Sequence, residues 1–321
     1  MIDVMLLGTG AMVPLPDRWL SSALVRVGSS LVLLDCGEGT QIAMRERHWG
    51  FRRLDAICLS HLHADHVAGI PGLLHTIANA GKTTPLAIYG PVGTVRVIEG
   101  LRTIAPVLPF DMIVHELHDG GGVEGPDGLA IRVAAGEHRV PVLGYRLERP
   151  RSRRFDPERA RTLGVPVDRW SLLQRGESVA VDGLTVRPDQ VLGEARPGVA
   201  LGFVTDTRAT PALRDLVAGA DLLISEGTYG DDAAAEGAER WGHMTFRQAA
   251  TQARDAAVGH LWLTHFSAGM RDPEAWRDNA ATVFADVTIG YAGLAATLAF
   301  DRGYRPATDL AVDDADEGPV E

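Results

Sequence analysis

Residues 61–66 read His-Leu-His-Ala-Asp-His, four side chains able to bind a metal ion within six positions, directly behind the apolar run Ala56-Ile57-Cys58-Leu59-Ser60. Neutral imidazole and carboxylate are the usual ligands of zinc and its neighbours, and catalytic sites leave a coordination position open for water. A surface loop has no packing reason to collect so many imidazoles. With His61 and His63 facing one way at i, i+2 spacing and Asp65 and His66 facing another, one strand-to-helix loop can serve two adjacent ions, the geometry of two-metal hydrolysis.

Further candidate ligands stand at the ends of other strand-like runs, where a pocket would collect them. His138 follows the run 129–135, Asp206 follows Leu201-Gly-Phe-Val-Thr205, and His265 follows Leu261-Trp-Leu-Thr264. Taken singly, Asp206 reads as a helix N-cap, and His138 and His265 as hydrogen-bonded core or surface histidines. Their repeated placement beside a metal loop favours the ligand reading.

Strand-length apolar runs occupy 2–8, 22–27, 30–35, 55–60, 85–89, 129–134, 142–147, 200–205, 221–226 and 260–264, and helical patterning occupies 40–47, 70–80, 91–103, 210–218, 245–257 and 273–284. Early strands follow one another with little helix between them, and helices alternate with strands later. This order predicts mixed sheets covered on their outer faces, a layered helix/sheet/sheet/helix sandwich of α/β class. The segment 148–198 breaks the rhythm. It is rich in Arg, Pro and Gly, holds a short helix at 157–163 and a hairpin at 178–186 turning at Asp182-Gly183, and reads as an insertion on a main domain spanning 1–308. Residues 309–321 are acidic and poor in bulky apolar groups, the composition of a disordered tail.

With 45% hydrophobic residues in 321, the chain can bury a substantial core, and no apolar run approaches the roughly 20 residues a membrane span needs. The N-terminus reads as a first strand, so a cytoplasmic protein with no membrane partner is expected. Cys36 and Cys58 sit in or beside apolar runs and read as buried thiols. The net charge of −11 argues against a protein coated with nucleic-acid-binding charge, and no DNA partner is expected. One basic stretch stands out: seven arginines fall between Arg146 and Arg161, either a solvated loop or an anion-binding surface.

The motifs together resemble the metallo-β-lactamase superfamily and, within it, the ribonuclease Z family of tRNA 3′-processing endoribonucleases. The resemblance runs through Leu7-Gly-Thr-Gly10, Asp35-Cys-Gly-Glu-Gly-Thr-Gln41, the stretch from Ser60 to Gly72, Ile88-Tyr-Gly-Pro91, and the stretch from Glu137 to Arg146. It continues in Asp206-Thr-Arg208, Ser225-Glu-Gly-Thr228, Gly242-His-Met-Thr245 and Thr264-His-Phe-Ser267. It implies a four-layer αββα sandwich of two mixed sheets flanked by helices. It implies two Zn²⁺ per subunit, with Mn²⁺ or Fe²⁺ admissible on ligand type: His61, His63 and His138 on one, Asp65, His66 and His265 on the other, and Asp206 between them.

The same resemblance implies that a metal-activated hydroxide removes the 3′ trailer of precursor tRNA in a homodimer. Asp65 would orient the attacking group, and His243, partnered by Glu226, would protonate the departing 3′ oxygen; on its own, His243 reads equally as a helix-start residue before Thr245. Gly37 lets a loop pass close to the metals, and Asp35 braces the metal loop instead of binding an ion. Substrate contacts are expected from Ser267, Arg271, Arg151, Arg153 and Arg154.

The departures from the family all touch substrate binding. Val167-Asp168-Arg169-Trp170 stands where a Gly-Pro pair is expected in the family's tRNA-gripping arm. The arginine after His265 is shifted to Arg271, and Arg18-Trp19 replaces an Arg-Asn pair. A small-molecule phosphodiesterase or ester hydrolase of the same superfamily is the alternative, and an RNA-binding scaffold with a relict site is a third reading. Steep salt dependence separates an RNA substrate from a small one.

Overall fold

Every residue of the first strand, β1 (Ile2–Gly8), is buried, and its two faces serve different cores. Ile2, Val4 and Leu6 join one apolar cluster, Met5 and Leu7 another. Alternation of this kind, with both faces apolar, is what a strand inside a layered sandwich requires. The computed structural model describes residues 1–307 and 310.

The remaining strands are β2 (Ser22–Val27), β3 (Ser30–Leu34), β4 (Leu54–Cys58), β5 (Leu86–Gly90), β6 (Met112–Glu116), β7 (Gly122–Glu124), β8 (Ala130–Ala135), β9 (Leu143–Arg151), β10 (Val179–Val181), β11 (Leu184–Val186), β12 (Arg196–Val204), β13 (Leu222–Glu226), β14 (Leu261–Thr264), β15 (Val287–Ile289), β16 (Ala295–Ala299) and β17 (Gly303–Ala307). One sheet has the order β17-β16-β1-β2-β3-β4-β5-β6, antiparallel as far as β3 and parallel from β3 to β6. The other has the order β15-β14-β13-β12-β9-β8-β7, parallel from β15 to β12 and antiparallel from β9 to β7. Both sheets are mixed.

The inner faces of the two sheets meet in one core that takes Val32 and Leu34 from β3, Leu201 and Phe203 from β12, and Trp262 from β14. Outside the first sheet, Leu31 and Leu33 pack with helices Thr40–Arg47, Ile70–Asn79 and Thr94–Arg102. Outside the second, Val204, Leu223 and Leu263 pack with helices Pro211–Leu216, Phe246–Asp255 and Arg277–Ala281. The result is the expected four-layer αββα sandwich of α/β class. Each of these buried aliphatic side chains contributes about 1.5–3 kcal/mol. Cys36 and Cys58 are buried free thiols, their pKa values pushed far up by burial.

Five strands escaped the patterning. β6 reads Met-Ile-Val-His-Glu on a half-exposed sheet edge, β7 and β15 have three residues each, β16 is alanine-rich, and β17 carries Gly303 and Pro306. β7, β16 and β17 lack the branched apolar alternation that marks a strand locally, the Val-Thr-Ile of β15 carries it over three residues only, and the Ile-Val of β6 runs into His and Glu, so in each case a paired neighbour supplies the ladder. The expected helix 273–284 is shorter, Arg277–Ala281 after a 3-10 turn at Glu274–Trp276.

Residues 1–149 together with 199–307 form one compact unit, and residues Pro150–Gly198 form the other. This second unit has its own small core of Ala160, Val165, Leu173, Val179, Val186 and Val191. Asp156 caps helix Pro157–Thr162 by accepting from the Arg159 N–H at 3.0 Å. Strands β10 and β11 turn at Asp182-Gly183 with φ of 49° and 80°, the pair of positive values a two-residue hairpin loop favours. Where the Gly-Pro pair was expected, Trp170 starts helix Trp170–Gln174, donates its indole N–H to the Val165 carbonyl at 3.0 Å and lies 5.2 Å from the Phe155 ring. Apart from Leu310, the expected acidic tail 309–321 lies outside the described residues.

Candidate metal centre

Parallel strands in a covered sheet present their loops at the carboxyl end, and ligands gather there. Asp35 follows β3, the His61–His66 loop follows β4, Asp206 follows β12, and His265 follows β14. Asp35, Asp206 and His265 have φ of 55°, 51° and 58°, the left-handed region that Asp and His enter more readily than other side-chain-bearing residues. Such positions cost of order 1–3 kcal/mol each and persist where the surroundings hold them. Gly37 is needed for another reason, since a Cβ there would stand 2.5 Å from the Asp65 carbonyl oxygen.

The donor atoms of His61, His63, His138 and Asp206 lie within 4.8 Å of one another, as do those of Asp65, His66 and His265. Asp206 faces both sets. Its Oδ2 lies 3.6 Å from His61 Nε2 and 3.9 Å from His138 Nε2, and its Oδ1 lies 3.2 Å from His66 Nε2 and 3.0 Å from His265 Nε2.

Hydrogen bonds on the far side of the rings settle which nitrogens face inward. His66 Nδ1 donates to Asp35 Oδ2 at 2.7 Å, and His138 Nδ1 donates to the Gly242 carbonyl at 3.0 Å. The Ser60 hydroxyl donates to Asp35 Oδ2 at 2.8 Å and therefore accepts from His61 Nδ1 at 3.0 Å. The Thr228 hydroxyl donates to Glu226 Oε2 at 2.6 Å and accepts from His265 Nδ1 at 3.0 Å. Each of these four rings thus turns a bare Nε2 inward, as ligating histidines do. His63 alone presents Nδ1, which stands 3.0 Å from His61 Nε2 and 3.3 Å from His138 Nε2. His66 Nε2 and His265 Nε2 are 3.3 Å apart. Lone pairs facing each other at such distances repel unless a cation stands among them, so the donor set fits divalent metal.

The protonation preferences of three of the histidines and both aspartates agree, and those of His66 run the other way. Burial holds His61, His63 and His138 below their ordinary pKa, in the neutral form that binds metal. Burial pushes the Asp206 carboxyl up, but His265, His66 and His61 outweigh it and keep Asp206 well below the usual carboxylate range. Asp65 is held down in the same way by His265 and His66, against its burial, and its Oδ2 accepts the Met12 N–H at 2.7 Å. His66 is opposed by burial yet raised by Asp206 and Asp35.

His243 and Glu226 come together beside these donors. His243 Nδ1 lies 3.3 Å from Glu226, whose carboxylate also accepts the N–H groups of Thr207 at 2.6 Å and Met244 at 3.0 Å. Burial disfavours the His243 imidazolium, but the hydrogen bond and charge of Glu226 raise its pKa to about 8.

A cavity of about 570 Å³ opens over the site, lined among others by Met12, His63, Asp65, Arg139, Trp241, His243 and Ser267. Of the expected substrate contacts, Ser267 lines this cavity. Arg271 offers its backbone carbonyl to Arg18 Nη2 at 3.2 Å. Arg151, Arg153 and Arg154 belong wholly to the second unit, where Arg153 bonds Asp189 and the carbonyls of Leu192 and Gly193. Sequence reasoning missed three contributors. Thr228 stood inside a quoted motif without a role, Met12 acts through a backbone N–H that any residue carries, and Trp241 precedes Gly242 with no local sign of exposure.

Two family models match parts of the chain: Anti-Pycsar protein Apyc1 over residues 2–94 and Beta-lactamase superfamily domain over 157–266. Ribonuclease Z of Lachnoclostridium phytofermentans is 41% identical over 302 residues, covering 94% of this chain and 99% of that one. Among solved structures, human tRNase Z, short form, superposes with a TM-score of 0.65 at 26% identity, covering 92% of this chain and 98% of that one. The metallo-beta-lactamase fold protein YhfI from Bacillus subtilis superposes with a TM-score of 0.67 at 22% identity, covering 92% and 99%, and attests the fold. A relative this similar over nearly its whole length, on the same sandwich and with the histidine and aspartate clusters at the strand ends, decides the matter: the chain belongs to the ribonuclease Z family and is a metal-dependent endoribonuclease of the metallo-β-lactamase fold.

Proposed function

We propose that this enzyme removes the 3′ trailer of precursor tRNA, using two zinc ions held by seven side chains. His61, His63 and His138 would hold one ion and Asp65, His66 and His265 the other, with Asp206 between them. The Asp206 geometry carries this reading, because its two oxygens face the two histidine groups separately. Bound there, the cations make water acidic enough to attack at neutral pH and offset charge on the phosphoryl oxygens.

The chain's own groups do the rest. Asp65, fixed by the Met12 N–H, orients the attacking water and takes its proton. Protonated His243, held through Nδ1 by Glu226, gives a proton to the 3′ oxygen as the P–O3′ bond breaks, leaving a 3′ hydroxyl on the tRNA and a phosphate on the trailer. No helix among the described residues is long and apolar enough to cross a membrane, and a cytoplasmic site of action goes with this substrate. The second unit, which has a core of its own and carries the exposed Arg154, is the proposed tRNA grip, working across a homodimer.

Cleavage of a 3′-extended tRNA transcript with Zn²⁺ tests the proposal. It predicts one cut after the discriminator nucleotide and an efficiency that falls steeply with added salt. An intact transcript, together with salt-insensitive turnover of bis(p-nitrophenyl) phosphate, would move the enzyme to small-molecule substrates. Light scattering checks the dimer.

A further inference from the structure

Beside the metal cavity lies a second one of about 380 Å³, which shares His138 and Arg139 with the first and adds Arg208 and Arg240. Arg208 is engaged, donating to the Glu239 carbonyl and pairing with Glu137 at 3.4 Å. Arg139 and Arg240 are not. Their guanidinium carbons lie 5.1 Å and 5.6 Å from the Trp241 ring, and among the described residues neither guanidinium makes a hydrogen bond or an ion pair. Two cations without a carboxylate partner thus gather on one half-exposed indole in a chain of net charge −11.

We propose that Arg139, Trp241 and Arg240 form the subsite for the nucleotide adjoining the scissile phosphate. Trp241 stacks its base and the two arginines bind its phosphate. An arginine lying on an indole still offers its in-plane N–H donors to a phosphate, and an aromatic face accepts any base. The placement is fixed by the metal centre itself. Trp241 ends helix Ala235–Trp241, whose Gly242 cap accepts His138 Nδ1, and His243 follows directly. One short segment therefore couples a metal ligand, the proton donor and the stacking ring, so a nucleotide on Trp241 is registered against the reacting phosphorus.

This subsite rests on the tRNA reading above, and the experiment separates the two. The kcat/KM of W241A, W241F and an R139Q/R240Q double variant is measured on a 3′-extended precursor tRNA and on bis(p-nitrophenyl) phosphate, with melting curves to check folding. W241A is expected to lower the ratio of the two efficiencies about tenfold, mainly through KM, and W241F to restore most of it. The double variant is expected to flatten the log–log salt dependence of precursor cleavage by about 0.7, the loss of one neutralised single-strand phosphate. Wild-type ratios and slopes in folded variants, with the wild type cutting the precursor, overturn the subsite alone. A wild type that leaves the precursor intact overturns both readings.

Discussion

The fully buried Glu226 carboxylate lies 3.3 Å from His243 Nδ1 and accepts three further hydrogen bonds, from the Thr207 and Met244 N–H groups and the Thr228 hydroxyl. Through Thr228 it also reaches His265, so one carboxylate orients the proposed proton donor and one ring of the histidine cluster together.

One prediction concerns leaving groups. His243→Ala is expected to lower kcat on precursor tRNA by roughly 10²–10⁴, since an alkoxide is a poor leaving group without a proton. On bis(p-nitrophenyl) phosphate, whose phenolate leaves unaided, the loss is expected to be far smaller. Equal losses on both substrates would assign His243 to structure.

A pH profile tests the Glu226 partnership. As the proposed donor His243 would act only while protonated, so kcat is expected to fall as pH rises through its pKa, which Glu226 raises to about 8. Glu226→Gln removes the raising charge and is expected to move this alkaline limb to lower pH. A limb at the same pH in both proteins contradicts the assignment.

Asp35 touches no inward-facing nitrogen, yet it accepts from His66 Nδ1, the Ser60 hydroxyl and, at 2.7 Å, the Ser60 N–H. Asp35→Asn is expected to weaken metal affinity by about 10- to 100-fold, read by competition with a chromogenic chelator. Gly242 has a structural counterpart of this role. Its φ is +75°, and a Cβ would stand 3.0 Å from His138 Nδ1. Gly242→Ala is expected to cost about 1 kcal/mol, a small drop in Tm, and to weaken metal binding as His138 is displaced.

The legible part of this protein was the part with short-range signatures. The His61–His66 loop is local, and Asp206 and His265 each follow an apolar run that is visibly a strand. Their convergence could not be derived from the residues alone, because it depends on β4, β12 and β14 ending at the same edge of two different sheets. β16 and β17 were invisible for a related reason: residues such as Ala296 and Pro306 carry no strand preference, and β16 exists because β1 pairs with it. Arg139 and Trp241 lie about a hundred positions apart, and only folding sets one against the other.

Metal content measured together with activity tests the central claim most directly. Purified, active enzyme is predicted to hold two equivalents of divalent metal per chain, to lose precursor cleavage on chelation and to regain it with Zn²⁺, and Asp206→Ala is predicted to lose both equivalents. Active protein that carries no metal and is indifferent to chelators would contradict the account.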